Sequence, residues 1–216
     1  MIENVRKYPV LLIIFLSLFY LVGVFGLTCE RTQSVFQSLV PFTLLFSLYF
    51  LWLFHENPTR RFFLTAFIIM LLGYLVEVAG VNTGVIFGEY VYGKTLGAKI
   101  WNTPLMIGVN WLLLIYTAWI LTGFITQNRW LRYLFGGAAM LFYDIVLEPV
   151  AIRIDMWNWH GEKVPVQNYF AWFVIAVILF IILDMNTRQL KNKIAPALFI
   201  IQVVFFVLLN IIFHYR

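Results

Sequence analysis

Seven apolar stretches, each near the length of a bilayer-crossing helix, divide this chain: Pro9 to Leu27, Val35 to Phe54, Phe62 to Val81, Pro104 to Thr126, Trp130 to Leu147, Tyr169 to Leu183 and Ala195 to Phe213. A helix needs about 20 residues to cross the hydrocarbon core. It must be a helix, because an open strand in lipid leaves backbone groups unpaired. The pattern predicts an all-α, polytopic membrane bundle of about seven helices, forming a single integral membrane domain over residues 1–216. Composition agrees: 62% of residues are hydrophobic and 12% charged, against about half and a quarter in soluble domains. The first stretch follows Arg6 and Lys7, as in a signal peptide. It is long for such a segment and no small-residue cleavage site follows, so it is expected to stay as the first helix. The single cysteine, Cys29, excludes an internal disulfide and a cysteine metal cluster. The net charge of +5 is spread singly or in pairs at the ends of apolar runs. That suits anionic lipid headgroups and does not suggest nucleic acid.

Lys and Arg counts set orientation. One side carries Arg6, Lys7, Arg60, Arg61, Arg129, Arg132, Arg188, Lys191 and Lys193, which is nine; the other carries Arg31, Lys94, Lys99, Arg153, Lys163 and Arg216, which is six. The nine lie in short connections. The N-terminus is therefore expected in the cytoplasm of a cell with this protein in its plasma (inner) membrane, and the C-terminus outside. Two long connections, Asn82 to Thr103 and Val150 to Gln167, then face outward. Both are rich in glycine and aromatics, as in Phe87-Gly-Glu-Tyr-Val-Tyr-Gly93 and Met156-Trp-Asn-Trp-His-Gly161. Isolated aromatics such as Trp52 and Trp119 fit the interfacial belt. For the two loops, a folded-back lid stands beside that reading.

The loops share a spacing. Glu77 precedes Tyr90 and Tyr92 by 13 and 15 residues, and Asp144 precedes Trp157 and Trp159 by the same 13 and 15. Pro104 precedes Trp111 by seven, as Pro165 precedes Trp172. Helices three and four are thus expected to correspond to helices five and six as a parallel repeat.

Polar groups cluster at one depth. Glu77 sits in the last turns of helix three, Asn110 about two turns into helix four, and Asp144 and Glu148 share a face at i, i+4 near the end of helix five. Pro149 is expected to end that helix near Leu147. A charge at mid-helix costs about 2.5–3.5 kcal/mol on insertion scales, so such groups usually face a partner or a cavity. The structural alternative pairs Asp144 or Glu148 with Arg153 and caps Glu77 with loop hydrogen bonds. His55, His160 and His214 are scattered and make no metal site. A single Asp144-x3-Glu148 pair disfavours an intramembrane prenyltransferase, which needs two aspartate-rich motifs. Helix seven has no lysine for a retinal Schiff base.

Glu77-x2-Gly-x-x-Thr-Gly84, Phe87-Gly-x-Tyr-x-Tyr-x3-Leu-Gly97, Pro104 and Trp111, followed by Asp144-x3-Glu-Pro149, Trp157-x-Trp159 and Val164-Pro-x2-Asn-Tyr-x2-Trp172, resemble the carotenoid biosynthesis membrane proteins that include the carotenoid 1,2-hydratases of the CruF type. The match spans helices three to six. The chain departs at Glu148, where aspartate is expected, at Tyr169, where phenylalanine is usual, and in a short polar turn from Gly161 to Lys163.

The resemblance implies hydration of the terminal C1=C2 bond of an acyclic, lycopene- or gamma-carotene-like end group, without a cofactor or metal. Such an alkene needs a proton at C2, a tolerated tertiary cation at C1 and a placed water. Buried carboxyls are suited to stay protonated, and two sharing a site separate into acid and base. Aromatic faces stabilise cations. The acid is then Asp144 or Glu77, with Glu148 as partner or base and Asn110 holding water. Tyr90, Tyr92, Trp111, Trp157 and Trp159 line the end-group pocket, with Phe87, Asn168 and Trp172 as further substrate contacts. Two alternatives stay open. An end-group cyclase would use the same cation but yield a ring, and a lipid-binding or uptake protein would hold a ligand unchanged.

Overall fold

The computed structural model describes residues 6–161, 163–187 and 190–215. Arg188 and Arg216 of the orientation count, and Glu162 of the polar turn, lie outside the described residues. Among those described, seven helices are long and apolar enough to span a membrane. They are α1 (Pro9–Thr28), α2 (Gln33–Phe54), α3 (Arg60–Thr83), α4 (Leu105–Thr122), α5 (Arg129–Arg153), α6 (Val166–Asn186) and α7 (Ala195–His214).

Local chemistry sets several ends. The Thr59 side chain accepts from the Phe62 N–H at 3.1 Å, and Asn128 Oδ1 accepts from Trp130 and Leu131 N–H at 3.0 and 3.3 Å. These caps satisfy donors that the first turns of α3 and α5 cannot bond internally. Gly84, at φ 67°, ends α3 in the left-handed region, where glycine pays no side-chain penalty.

Helix α4 is the hub. It is buried from Ile107 to Ile120 and packs against α2, α3, α5, α6 and α7. The outer helices instead present Phe42, Phe67 and Phe170 outward, as a lipid-facing wall does. Small residues let α4 come close: a Cβ on Gly73 of α3 would stand 2.6 Å from the Trp111 Cβ.

Two expectations about these helices are corrected. Helix α5 does not end near Leu147 but runs through Pro149 to Arg153. A proline removes one ladder hydrogen bond and crowds the preceding turn, and neighbouring helices in a membrane bundle make this tolerable. Here Asn210 of α7 donates to the Val146 carbonyl in that same turn, at 2.6 Å. Asp144 consequently lies nine residues from the helix end, about 14 Å along the axis at about 1.5 Å per residue. Trp119 does not face the lipid as a belt residue would. It is 3% exposed, stacked on Tyr133 and Phe180, with the Arg132 guanidinium 3.6 Å from its ring centre. Trp52, by contrast, is 47% exposed.

Both long connections fold back onto the bundle. β1 (Tyr90–Tyr92) and β4 (Trp157–Trp159) pair antiparallel, with Tyr90 opposite Trp159 and Tyr92 opposite Trp157. β2 (Lys99–Ile100) and β3 (Thr103–Pro104) form a tight hairpin. Trp101 and Asn102 at its tip take φ of 50° and 61°, as a two-residue turn matched to strand twist requires.

Candidate active site

The β1–β4 ribbon brings its aromatic side chains down onto the ends of α3 and α5. Tyr90 and Tyr92 hydroxyls each donate to Glu77 Oε2 at 2.7 Å, and the Trp111 indole N–H donates to Glu77 Oε1 at 2.9 Å. Burial, and then the facing Glu77 carboxyl, push both phenols above their ordinary pKa, so they remain protonated donors. On the other half, the N–H groups of Trp157 and Trp159 donate to Glu148 Oε2 at 3.1 and 3.0 Å. Asn168 of α6 spans the i, i+4 pair, its Nδ2 lying 2.7 Å from Asp144 Oδ2 and 3.2 Å from Glu148 Oε1.

Five of the six carboxyl oxygens therefore accept hydrogen bonds. The sixth, Asp144 Oδ1, is buried and meets no partner among the described residues. Asn168 ties Asp144 to Glu148, and Tyr90 and Tyr92, which donate to Glu77, lie against Trp159 and Trp157, which donate to Glu148, across the ribbon, so the three form one cluster. All three side chains are 3% exposed or less. An indole nitrogen donates and cannot accept, so a proton on Glu148 Oε2 would face two N–H groups. Asp144 Oδ1 is the oxygen with no competing donor.

The remaining expected contacts gather here too. Trp111 and Trp172 stack with centroids 4.4 Å apart. Phe87, 1% exposed, meets the Tyr90 ring edge-on at 6.1 Å and packs where a Cβ on Gly80 would collide with it. Asn110 stands apart from the hydrogen-bonded cluster. It lines an apolar cavity of about 290 Å³ together with Trp157, Tyr143 and Leu147, and its amide has no hydrogen-bond partner among the described residues. None of the three carboxylates lines that cavity.

The Trp157 and Trp159 N–H groups reach Glu148, four residues beyond the Asp144 from which their 13- and 15-residue spacing is counted. One helical turn separates the two carboxyls, and Pro149 within α5 leaves Glu148 beneath the ribbon. Two alternative readings need correction in detail, the aromatic belt for the loops and the Arg153 ion pair. The polar tips of these four loop aromatics point inward to carboxylates, so headgroup anchoring does not explain them. Arg153 pairs with neither Asp144 nor Glu148; its guanidinium lies 5.6 Å from the Phe213 ring centre. The ion pair found among the described residues is Arg129–Asp184, 2.7 Å, toward the opposite end.

Sequence reasoning missed a second polar chain deeper in the bundle, Gln202–Tyr20–Ser47. Its signal was a lone glutamine inside the apolar run Ala195 to Phe213. It also missed His55, whose Nδ1 lies 2.6 Å from the Tyr116 hydroxyl at the end opposite the carboxylates.

Residues 36–215 match the family described as carotenoid biosynthesis protein. The chain is also 33% identical over 132 residues to a bisanhydrobacterioruberin hydratase of Haloarcula japonica. That stretch covers 56% of this chain and 45% of the relative, so the match spans less than half of the relative's length. No solved structure matches.

Proposed function

The chain belongs to the carotenoid biosynthesis protein family, and on that premise we propose that it adds water to the terminal C1=C2 double bond of an acyclic carotenoid end group. The observation that carries this reading is the bare, buried Asp144 Oδ1 inside a cluster whose other carboxyl oxygens are all engaged. The relative's name supports a hydratase, and the chemistry of the cluster fits one.

Asp144 delivers a proton from Oδ1 to C2, and the π-electron pair of the double bond forms the new C–H bond. C1 becomes a tertiary cation, beside two further carboxyls and the faces of Trp111, Trp157 and Trp159. Preorganised negative groups and aromatic faces stabilise such a charge without rearranging. Water adds at C1, and its surplus proton returns to Asp144, so the enzyme is regenerated and no cofactor is consumed. Asn110, which lines the cavity and has no hydrogen-bond partner among the described residues, holds that water. Glu148 Oε1, engaged among the described residues by Asn168 alone at 3.2 Å, orients it.

The same reading places the aromatic loops on the outer face and the N-terminus in the cytoplasm, supported by the nine-to-six distribution of Lys and Arg. It also takes α3–α4 and α5–α6 as related units. In support, Pro104 and Pro165 precede α4 and α6 with φ, ψ of −65°, 136° and −63°, 139°, and the two ribbon strands pair with each other.

Incubation with lycopene in oxygen-18 water tests the reaction. Hydration places the label in a new tertiary hydroxyl. Label arriving from oxygen gas means an oxygenase, and an unlabelled ring means a cyclase.

A further inference from the structure

The cavity beside Trp157 extends away from the carboxylates, between α1, α2, α4, α5 and α7. Its walls are mostly apolar, and it reaches the lipid-facing surface beside Val22, Leu39 and Phe42, which are 58%, 42% and 65% exposed. A chain dissolved in the bilayer thus has a lateral way in between α1 and α2.

A polar chain breaks this wall. Ser47 Oγ donates to the Thr43 carbonyl one turn back at 2.8 Å. Its only hydrogen is then committed, so the Tyr20 hydroxyl, 2.9 Å away, donates to Ser47. With its own hydrogen committed, Tyr20 accepts from Gln202 Nε2 at 3.0 Å. The sequence of donors fixes the amide, with Nε2 toward Tyr20 and Oε1 away from it. Gln202 lines the cavity at 2% exposure, and its Oε1 has no partner among the described residues. Gln202 stands seven residues into α7 and Tyr20 eleven into α1, about 10 and 16 Å along their axes, near the middle of the bilayer.

An orphaned acceptor at that depth calls for a donor. Buried waters typically take about three partners, and here Oε1 offers one in apolar surroundings. A hydroxyl on a ligand already held by its hydrocarbon needs only one. We propose that this cavity binds an isoprenoid chain bearing a hydroxyl group, entering from the lipid between α1 and α2, with Gln202 Oε1 accepting the hydrogen bond from that hydroxyl. The isoprenoid class rests on the carotenoid reading. Because Trp157 and Gln202 line one cavity, the hydroxyl belongs on the same end of the chain as the group presented to the carboxylates.

The test uses the full-length protein in lipid nanodiscs and tryptophan fluorescence to read binding. The probes are geranyllinalool, an acyclic tertiary alcohol, and the hydrocarbon of the same carbon skeleton. Wild type should bind the alcohol about tenfold more tightly, the worth of one buried hydrogen bond. Gln202→Leu should bring the two affinities together at the hydrocarbon's value, and Leu39→Trp, which narrows the mouth, should weaken both alike. Should Gln202→Leu fail to accumulate, Tyr20→Phe serves: it unlocks the amide, and the preference must fall by at least half. No preference in wild type, or a preference unchanged in the Gln202 or Tyr20 variant, overturns the subsite. Equal binding by Leu39→Trp overturns the entry route. Hydration failing while the preference persists removes the proposed reaction and leaves this site standing.

Discussion

Trp157 donates its indole N–H to Glu148 Oε2 at 3.1 Å while its ring forms part of the wall of the lipid-facing cavity. One side chain therefore joins the chamber that receives an apolar chain to the carboxyl cluster that can act on its end. A ligand that displaces this ring also changes what Glu148 holds.

Tyr90 and Tyr92 supply both O–H donors to Glu77 Oε2. Tyr90→Phe and Tyr92→Phe should each lower the unfolding midpoint in detergent, by about 1–3 kcal/mol of stability, since a buried acceptor loses a donor. The double variant should lose more than the sum, because only then is Oε2 left bare. Strict additivity with unchanged turnover would mean the two phenols are independent anchors.

His55 gives a pH dependence with a defined sign. Burial first, and then the nearby Arg6 charge, lower its pKa from 6.5 to about 4, while Glu56 acts weakly the other way. The folded protein keeps this ring neutral, stacked on Phe62 at 3.8 Å, whereas the unfolded chain takes up a proton below about 6.5. The contribution is complete above pH 6.5 and is lost as pH falls toward about 4. The unfolding midpoint in detergent should decline over that window and decline less in His55→Gln. An identical slope in the variant would locate the sensitivity elsewhere.

Orientation is open to labelling in intact cells on a Cys29→Ser background. A cysteine at position 94 should react with an impermeant reagent and one at position 191 should be protected. The opposite result turns the protein over.

The seven spans were legible because hydrophobic length is a one-dimensional property, and lipid imposes the helix. The candidate site was half legible. Intramembrane carboxylates announce themselves by cost, and Glu77, Asp144 and Glu148 do come together. Which donor meets which oxygen was not legible: the 13- and 15-residue spacing suggests a repeat but names no hydrogen-bond partner, and the Trp157 and Trp159 N–H groups reach Glu148, one turn of α5 beyond Asp144. Pro149 reads as a stop signal from local sterics, yet packing by α7 carries the helix past it. Trp119 reads as interfacial because composition cannot reveal that α4 is surrounded. Gln202 was overlooked since one amide barely alters the hydropathy of its helix.

The central claim is that Asp144 is the proton donor, and Asp144→Asn tests it most directly. Asparagine keeps the shape and the contact with Asn168 but has no proton acidic enough for an alkene. General acid catalysis contributes about 10²–10⁴-fold. Product formation from lycopene by Asp144→Asn should therefore fall by about that factor at normal accumulation, while Arg153→Ala, whose guanidinium pairs with neither Asp144 nor Glu148, stays near wild type. Turnover by Asp144→Asn within a few-fold of wild type would contradict the account and make the cluster scaffolding.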